Sequence, residues 1–119
     1  MEKVNCLILN TVEDDYQTVW EIVSVVKSKY LTETKDCILG LVYESLRFLI
    51  LHRLVSIYNG YNFLGEEQEI KDFEVTKEFI LMHMDDWEKL DYKGIDYRFY
   101  ITPSGKAALI KECLPEYFK

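Results

Sequence analysis

Tyr97-Arg98-Phe99-Tyr100-Ile101, followed at once by Thr102-Pro103-Ser104-Gly105-Lys106-Ala107-Ala108-Leu109, is the stretch from which the fold can be read. Its first five residues alternate as a half-buried strand does. The Thr102 hydroxyl can accept from the free amides of a first helical turn, and Pro103 at the first helical position sacrifices no hydrogen bond. Ala107, Ala108, Leu109, Ile110 and Leu114 continue that helix, and Pro115 ends it. A strand that passes into a helix without a loop is therefore expected at residues 101–103.

Upstream, Lys93-Gly94 reads as a turn, and Val75, Phe79, Ile80, Met82, Trp87 and Leu90 fall on one side of a helix starting near Thr76. Asn59-Gly60 and Asn62 to Gly65 carry turn chemistry after a strand at about Leu54–Tyr58. Residues 35–57 are apolar on several sides. They form either one long helix or two short ones, with Thr34 as cap and Gly40 as the weak point. Val19, Trp20, Ile22, Val23 and Val26 give an amphipathic helix over about 13–29, which Thr11 and Asp14 would cap in the manner of a capping box. Val4–Leu9 is expected to be a short buried strand, although a run so short has no diagnostic period.

A length of 119 residues with 49% apolar side chains suits one domain able to bury its own core. The charge is unevenly spread. Residues 61–96 hold eleven acids and four lysines, which matches the whole formal net charge of −7. Such a balance opposes generic affinity for nucleic acid or anionic lipid and favours a basic partner. Arg47, His52 and Arg53 interrupt the apolar run around Phe48–Leu51 well short of the ~20 residues a bilayer span needs, so no membrane contact is expected. Cys6, Cys37 and Cys113, an odd number, read as reduced core residues. With no signal peptide apparent at the N-terminus, they point to the cytoplasm.

The Tyr-x-Phe-Tyr-Ile strand and the Thr-Pro-Ser-Gly-Lys-Ala-Ala-Leu run after it resemble the second wing strand and following helix of winged-helix domains. The preceding order of helix, Leu31-Thr32, helical pair and Arg53-Leu54-Val55-Ser56-Ile57 is similar to their helix-turn-helix and first wing strand. The resemblance covers residues 13–58 and 97–114. It implies an α+β, winged-helix-like fold, mainly helical with a small antiparallel sheet, into which residues 61–96 are placed as an acidic insertion. It also implies a DNA-binding regulator as one reading, dimerising through residues 35–57, with Arg47, Arg53 and Lys106 on phosphates. The recognition helix in that reading, Glu44 to Arg53, is unusually apolar for a major-groove reader.

No residue pattern announces an enzyme. The two histidines lie in separate segments, His83-x-Asp85-Asp86 lacks the spacing of a zinc site, and His52 beside Leu51 and Leu54 reads as a half-buried imidazole. Neither a nucleophile elbow nor a glycine-rich phosphate loop is present. No metal, cofactor or catalytic residue is therefore expected.

The acidic segment interleaves its carboxylates with Tyr61, Phe63, Phe73, Phe79, Trp87, Tyr92 and Tyr97. Aromatic anchors ringed by charge suit an interface, where rings supply hot-spot contacts and carboxylates hasten encounter with a cationic partner. In size and composition the chain resembles immunity proteins of contact-dependent growth inhibition and related polymorphic-toxin systems. That resemblance implies an inhibitor that blocks the substrate groove of a basic nuclease toxin. Glu66, Glu67, Glu69, Asp72, Asp85, Asp86 and Glu88 would stand in for phosphates, with Trp87 and Tyr92 as anchors.

Overall fold

The run from Val4 to Leu9 is buried at every position, and it is helical. In the computed structural model, which describes residues 1–59, 68–84 and 97–118, helix α1 spans Lys3–Glu13, so the expected strand is corrected. A segment apolar on all sides satisfies either geometry. Here it sits in the middle of the molecule, in contact with elements on several sides, and a helix pairs its backbone groups without needing a neighbouring strand. Asn5, the one polar group in that run, accepts a 2.5 Å hydrogen bond on Oδ1 from the Ser45 hydroxyl, and both residues are buried.

Helix α2 (Val19–Lys29) begins six residues later than expected. Thr18 is its cap: the Thr18 hydroxyl accepts from the Glu21 amide while the Glu21 carboxylate accepts from the Thr18 amide, a complete capping box. Thr11 instead lies within α1 and donates its hydroxyl proton to the Leu7 carbonyl. Between the helices, Gln17 exchanges two backbone hydrogen bonds with Phe99, of 2.9 and 2.8 Å.

Helix α3 (Lys35–Leu51) is one continuous helix capped by Thr34, as its threonine predicts. Gly40 does not break it. A Cβ there would meet nothing within 4 Å, so Gly40→Ala is expected to raise unfolding free energy by about 1 kcal/mol, measured by urea denaturation. The helix ends in a Schellman turn: the Leu54 amide donates to the Leu49 carbonyl at 2.8 Å and the Arg53 amide to the Ile50 carbonyl at 3.0 Å. Arg53 takes the left-handed position, φ 58°, where glycine is usual.

Strand β1 (Val55–Asn59) pairs antiparallel with β3 (Tyr97–Ile101) from Val55↔Ile101 to Asn59↔Tyr97, and with the two-residue β2 (Gln68–Glu69) through Tyr58↔Glu69 and Asn59↔Gln68. The sheet order is β2-β1-β3. Val55, Ile57, Phe99 and Ile101 face the core, whereas Ser56, Tyr58, Arg98 and Tyr100 alternate to the outer face. Helix α4 (Lys77–His83), capped by Thr76, packs on α3. Helix α5 (Pro103–Glu112) follows β3 without a loop, capped by Thr102 with Pro103 at its start. A short 3₁₀ turn, Pro115–Phe118, closes the described chain.

The described residues are thus α+β, with five helices and a small three-stranded antiparallel sheet. The reduced-cysteine expectation fails for Cys6 and Cys113 and holds for Cys37, which is free. Cys6 of α1 and Cys113 at the end of α5 form a disulfide, and Cys37 is exposed instead of buried.

Candidate functional site

The end of α3 and the segment that follows β2 leave an open groove of about 860 Å³ between them. One wall is Arg47, Ile50, Leu51 and Arg53; the other is residues 69–75; and β1 forms the floor. Arg47 and Leu51 are one helical turn apart and both exposed, Leu51 to 69%. Arg53 and Asp72, which both line the groove, are the described non-glycine residues with positive φ, each at 58°. Such backbone costs about 1–2 kcal/mol for a side-chain-bearing residue, and strain of this kind gathers where a site needs a fixed shape.

Four of the residues expected to bind a partner or DNA come together here: Arg47, Arg53, Glu69 and Asp72. Lys106 does not join them. It lies on α5, with Nζ 6.0 Å from the centre of the Tyr100 ring. Glu66, Glu67, Asp85, Asp86, Trp87, Glu88 and Tyr92 fall outside the described residues. Of the aromatic anchors expected in the acidic segment, Phe73, Phe79 and Tyr97 are half-buried against the core and pack on one another, with Phe79 4.9 Å from Phe73 and 5.4 Å from Tyr97. Those three rings belong to packing. His83 leans on Phe79 and Tyr97, and His52, expected to be half-buried, is exposed with its ring 4.3 Å from Phe48.

The outer sheet face is a second cluster. Tyr16 stacks on Tyr100 at 4.6 Å and meets Tyr58 edge-on at 5.2 Å. Burial, aided by the negative charge of Glu69, pushes the Tyr58 phenol above its usual range and keeps it neutral. Among the described residues no group of three or more His, Cys, Asp or Glu side chains could hold a metal ion, and no helix is long and apolar enough to cross a membrane.

No family model, curated protein or solved structure matches the chain. The groove residues carry what is known of the site. The sequence singles out Arg47, Arg53, Glu69 and Asp72 but not Lys71, Glu74, Ile50, Leu51, Val55 or Ile57, the apolar ones because residues on a helix end and a strand look like core until the neighbouring wall is placed. A signal for the missed start of α2 was present: Thr18-x-x-Glu21 has the glutamate that Thr11-x-x-Asp14 lacks.

Proposed function

We propose that this chain is a non-catalytic protein-binding inhibitor, with a basic nuclease-type toxin as the partner class and occlusion of that partner's substrate groove as the mechanism. The observation that carries the reading is electrostatic. Glu69, Asp72, Glu74 and Glu78, the described carboxylates of the acidic segment, are all exposed along one stretch from β2 into α4. Each exposed pair with a partner cation would contribute little, but together they set the encounter rate.

A winged-helix DNA-binding regulator is the second reading, favoured by topology. The order α2, turn, α3, β1, β3 and α5 supports that reading in part, since α3 is one helix where the resemblance implies a helical pair. The exposed face of α3 argues against DNA as the ligand, since Lys35 and Arg47 share it with Asp36, Glu44, Phe48 and Leu51. The inhibitor reading includes a cytoplasmic setting, yet a disulfide is the kind of cross-link that oxidising compartments maintain.

The expected result is capture, from the source cell, of a cationic nuclease whose activity the chain suppresses. Changing Glu69, Asp72 and Glu74 together to Gln, Asn and Gln should slow that association about tenfold at low salt and flatten its salt dependence. Electrophoresis with duplex DNA at low salt should show no shift. A shift abolished by Arg47→Ala would replace the inhibitor reading with the regulator.

A further inference from the structure

Helix α5 is held at its two ends by unlike means. At its start the Thr102 hydroxyl accepts from the Gly105 amide and donates to the Arg53 carbonyl, so the first turn is fastened to the end of α3. Its middle buries Ala108 and Leu109. Past them Ile110, Lys111 and Glu112 are all exposed, and so is Leu114. The far end is joined to the core by the bond from Cys113 to Cys6 of α1. A helix that buries so little in its last turn opens readily unless a covalent bond prevents it.

The two sulfurs of that bond are not equivalent. Cys6 is 0% exposed, whereas Cys113 is half-buried, at the extended residue that ends α5. A thiolate approaches a disulfide sulfur from the side opposite the sulfur it displaces, so access decides which one is attacked. For Cys6 that side is packed core. For Cys113 it lies toward the exposed end of α5.

We propose that Cys113 is the point at which a thiol reductant enters this molecule, and that exchange there makes residues 106–118 a redox-operated latch hinged at Thr102–Gly105. The thiolate of a dithiol attacks Sγ of Cys113. A new S–S bond forms there, and the Cys6–Cys113 bond breaks with its electron pair on Cys6, which takes a proton. The second thiol of the dithiol, as thiolate, then attacks its partner sulfur, closing the dithiol into a disulfide and releasing Cys113 as a thiolate, which also takes a proton. The chain gains two electrons and two protons, and the dithiol loses them. Because Cys6 leaves as an anion inside an apolar core, where an unpaired charge is unfavourable, exchange waits on the lifting of the end of α5. Once the bond is gone, the turn Pro115–Phe118, which also packs on α1, lifts with the helix. The latch needs nothing of the inhibitor reading and stands or falls apart from it.

The test uses the full chain with Cys37→Ser, which removes the free exposed thiol and leaves both partners of the bond untouched. Incubated folded with reduced glutathione and quenched in acid, it should carry glutathione on Cys113 at least about tenfold more often than on Cys6, read by peptide mass spectrometry. Full reduction with dithiothreitol should speed hydrogen exchange in residues 106–112 and 115–118 at least about tenfold more than in α2 or α3. Glutathione on Cys6, an even division between the two, or no adduct at all would overturn Cys113 as the point of entry. Exchange in α5 that reduction leaves unchanged, or that quickens equally in every helix, would overturn the latch. In the first case packing alone holds the helix, and in the second the bond secures the whole fold instead of one end.

Discussion

Gly105→Ala is expected to lower the unfolding free energy by about 3 kcal/mol, read as a fall in the urea midpoint with an unchanged slope. A Cβ at position 105 would stand 2.1 Å from the Leu54 carbonyl oxygen, 2.7 Å from Ile101 Cγ1 and 3.0 Å from the Leu54 carbonyl carbon. Two of those three atoms are backbone, and that backbone cannot move aside. The Leu54 amide is tied to Leu49 in the Schellman turn, and the Leu54 carbonyl accepts from the Thr102 amide. The Arg53 carbonyl accepts from the Thr102 hydroxyl at 2.7 Å, while that same hydroxyl accepts from the Gly105 amide at 3.0 Å. The close approach of α5 to the end of α3 is thus what the glycine permits, and an added methyl must break either the cap or the turn. A loss under about 0.5 kcal/mol would show that α5 is not locked there. The contrast with Gly40→Ala, expected to stabilise, separates a glycine required by contact from one merely tolerated.

The junction at 101–105 was legible because its signals are local. A cap hydroxyl, a proline at the first helical turn and an alternating strand act through bonds within a few residues. Thr34 and Thr76 were legible as caps for the same reason. Val4–Leu9 was not, because its conformation is decided by what surrounds it: α2, α3, α5 and β3 all pack against it, and no residue in the run reports that. The same holds for the groove. Arg47 and Arg53 attract notice as charges, but that they line one groove with Glu69 and Asp72 depends on a turn at Lys71–Asp72 and on a strand only two residues long. Left-handed arginine and aspartate carry no sequence signature, since glycine is the residue by which such turns are ordinarily recognised. The cysteines misled for a related reason. Counting and spacing do not reveal that Cys6 and Cys113, 107 residues apart, meet across α1 and α5.

Reducing that disulfide is expected to lower stability by about 4–5 kcal/mol, and Tm by roughly 15–20 °C. A cross-link closing a loop of about a hundred residues removes more chain entropy from the unfolded state than a short one does, and 4–5 kcal/mol is a large part of the 5–15 kcal/mol typical of a domain. Helix α5 is where the loss should be felt first. It buries only Gly105, Ala108 and Leu109 while Ile110 is 85% exposed, so its own packing is thin. Its start is held by Thr102 and Gly105, and its end by Cys113 on the fully buried Cys6. Thermal unfolding with and without reductant should therefore differ by the stated amount, and Cys113→Ser should match the reduced chain under both conditions. Hydrogen exchange should quicken in α5 and Pro115–Phe118 before it quickens in α2 or α3. Identical transitions for oxidised and reduced chains would mean that the packing of α5 on α1 suffices without the bond. If the difference is found, the compartment becomes a matter of stability: in a reducing cytoplasm the chain must act with α5 loosened at one end, and in an oxidising setting it acts with both ends fastened.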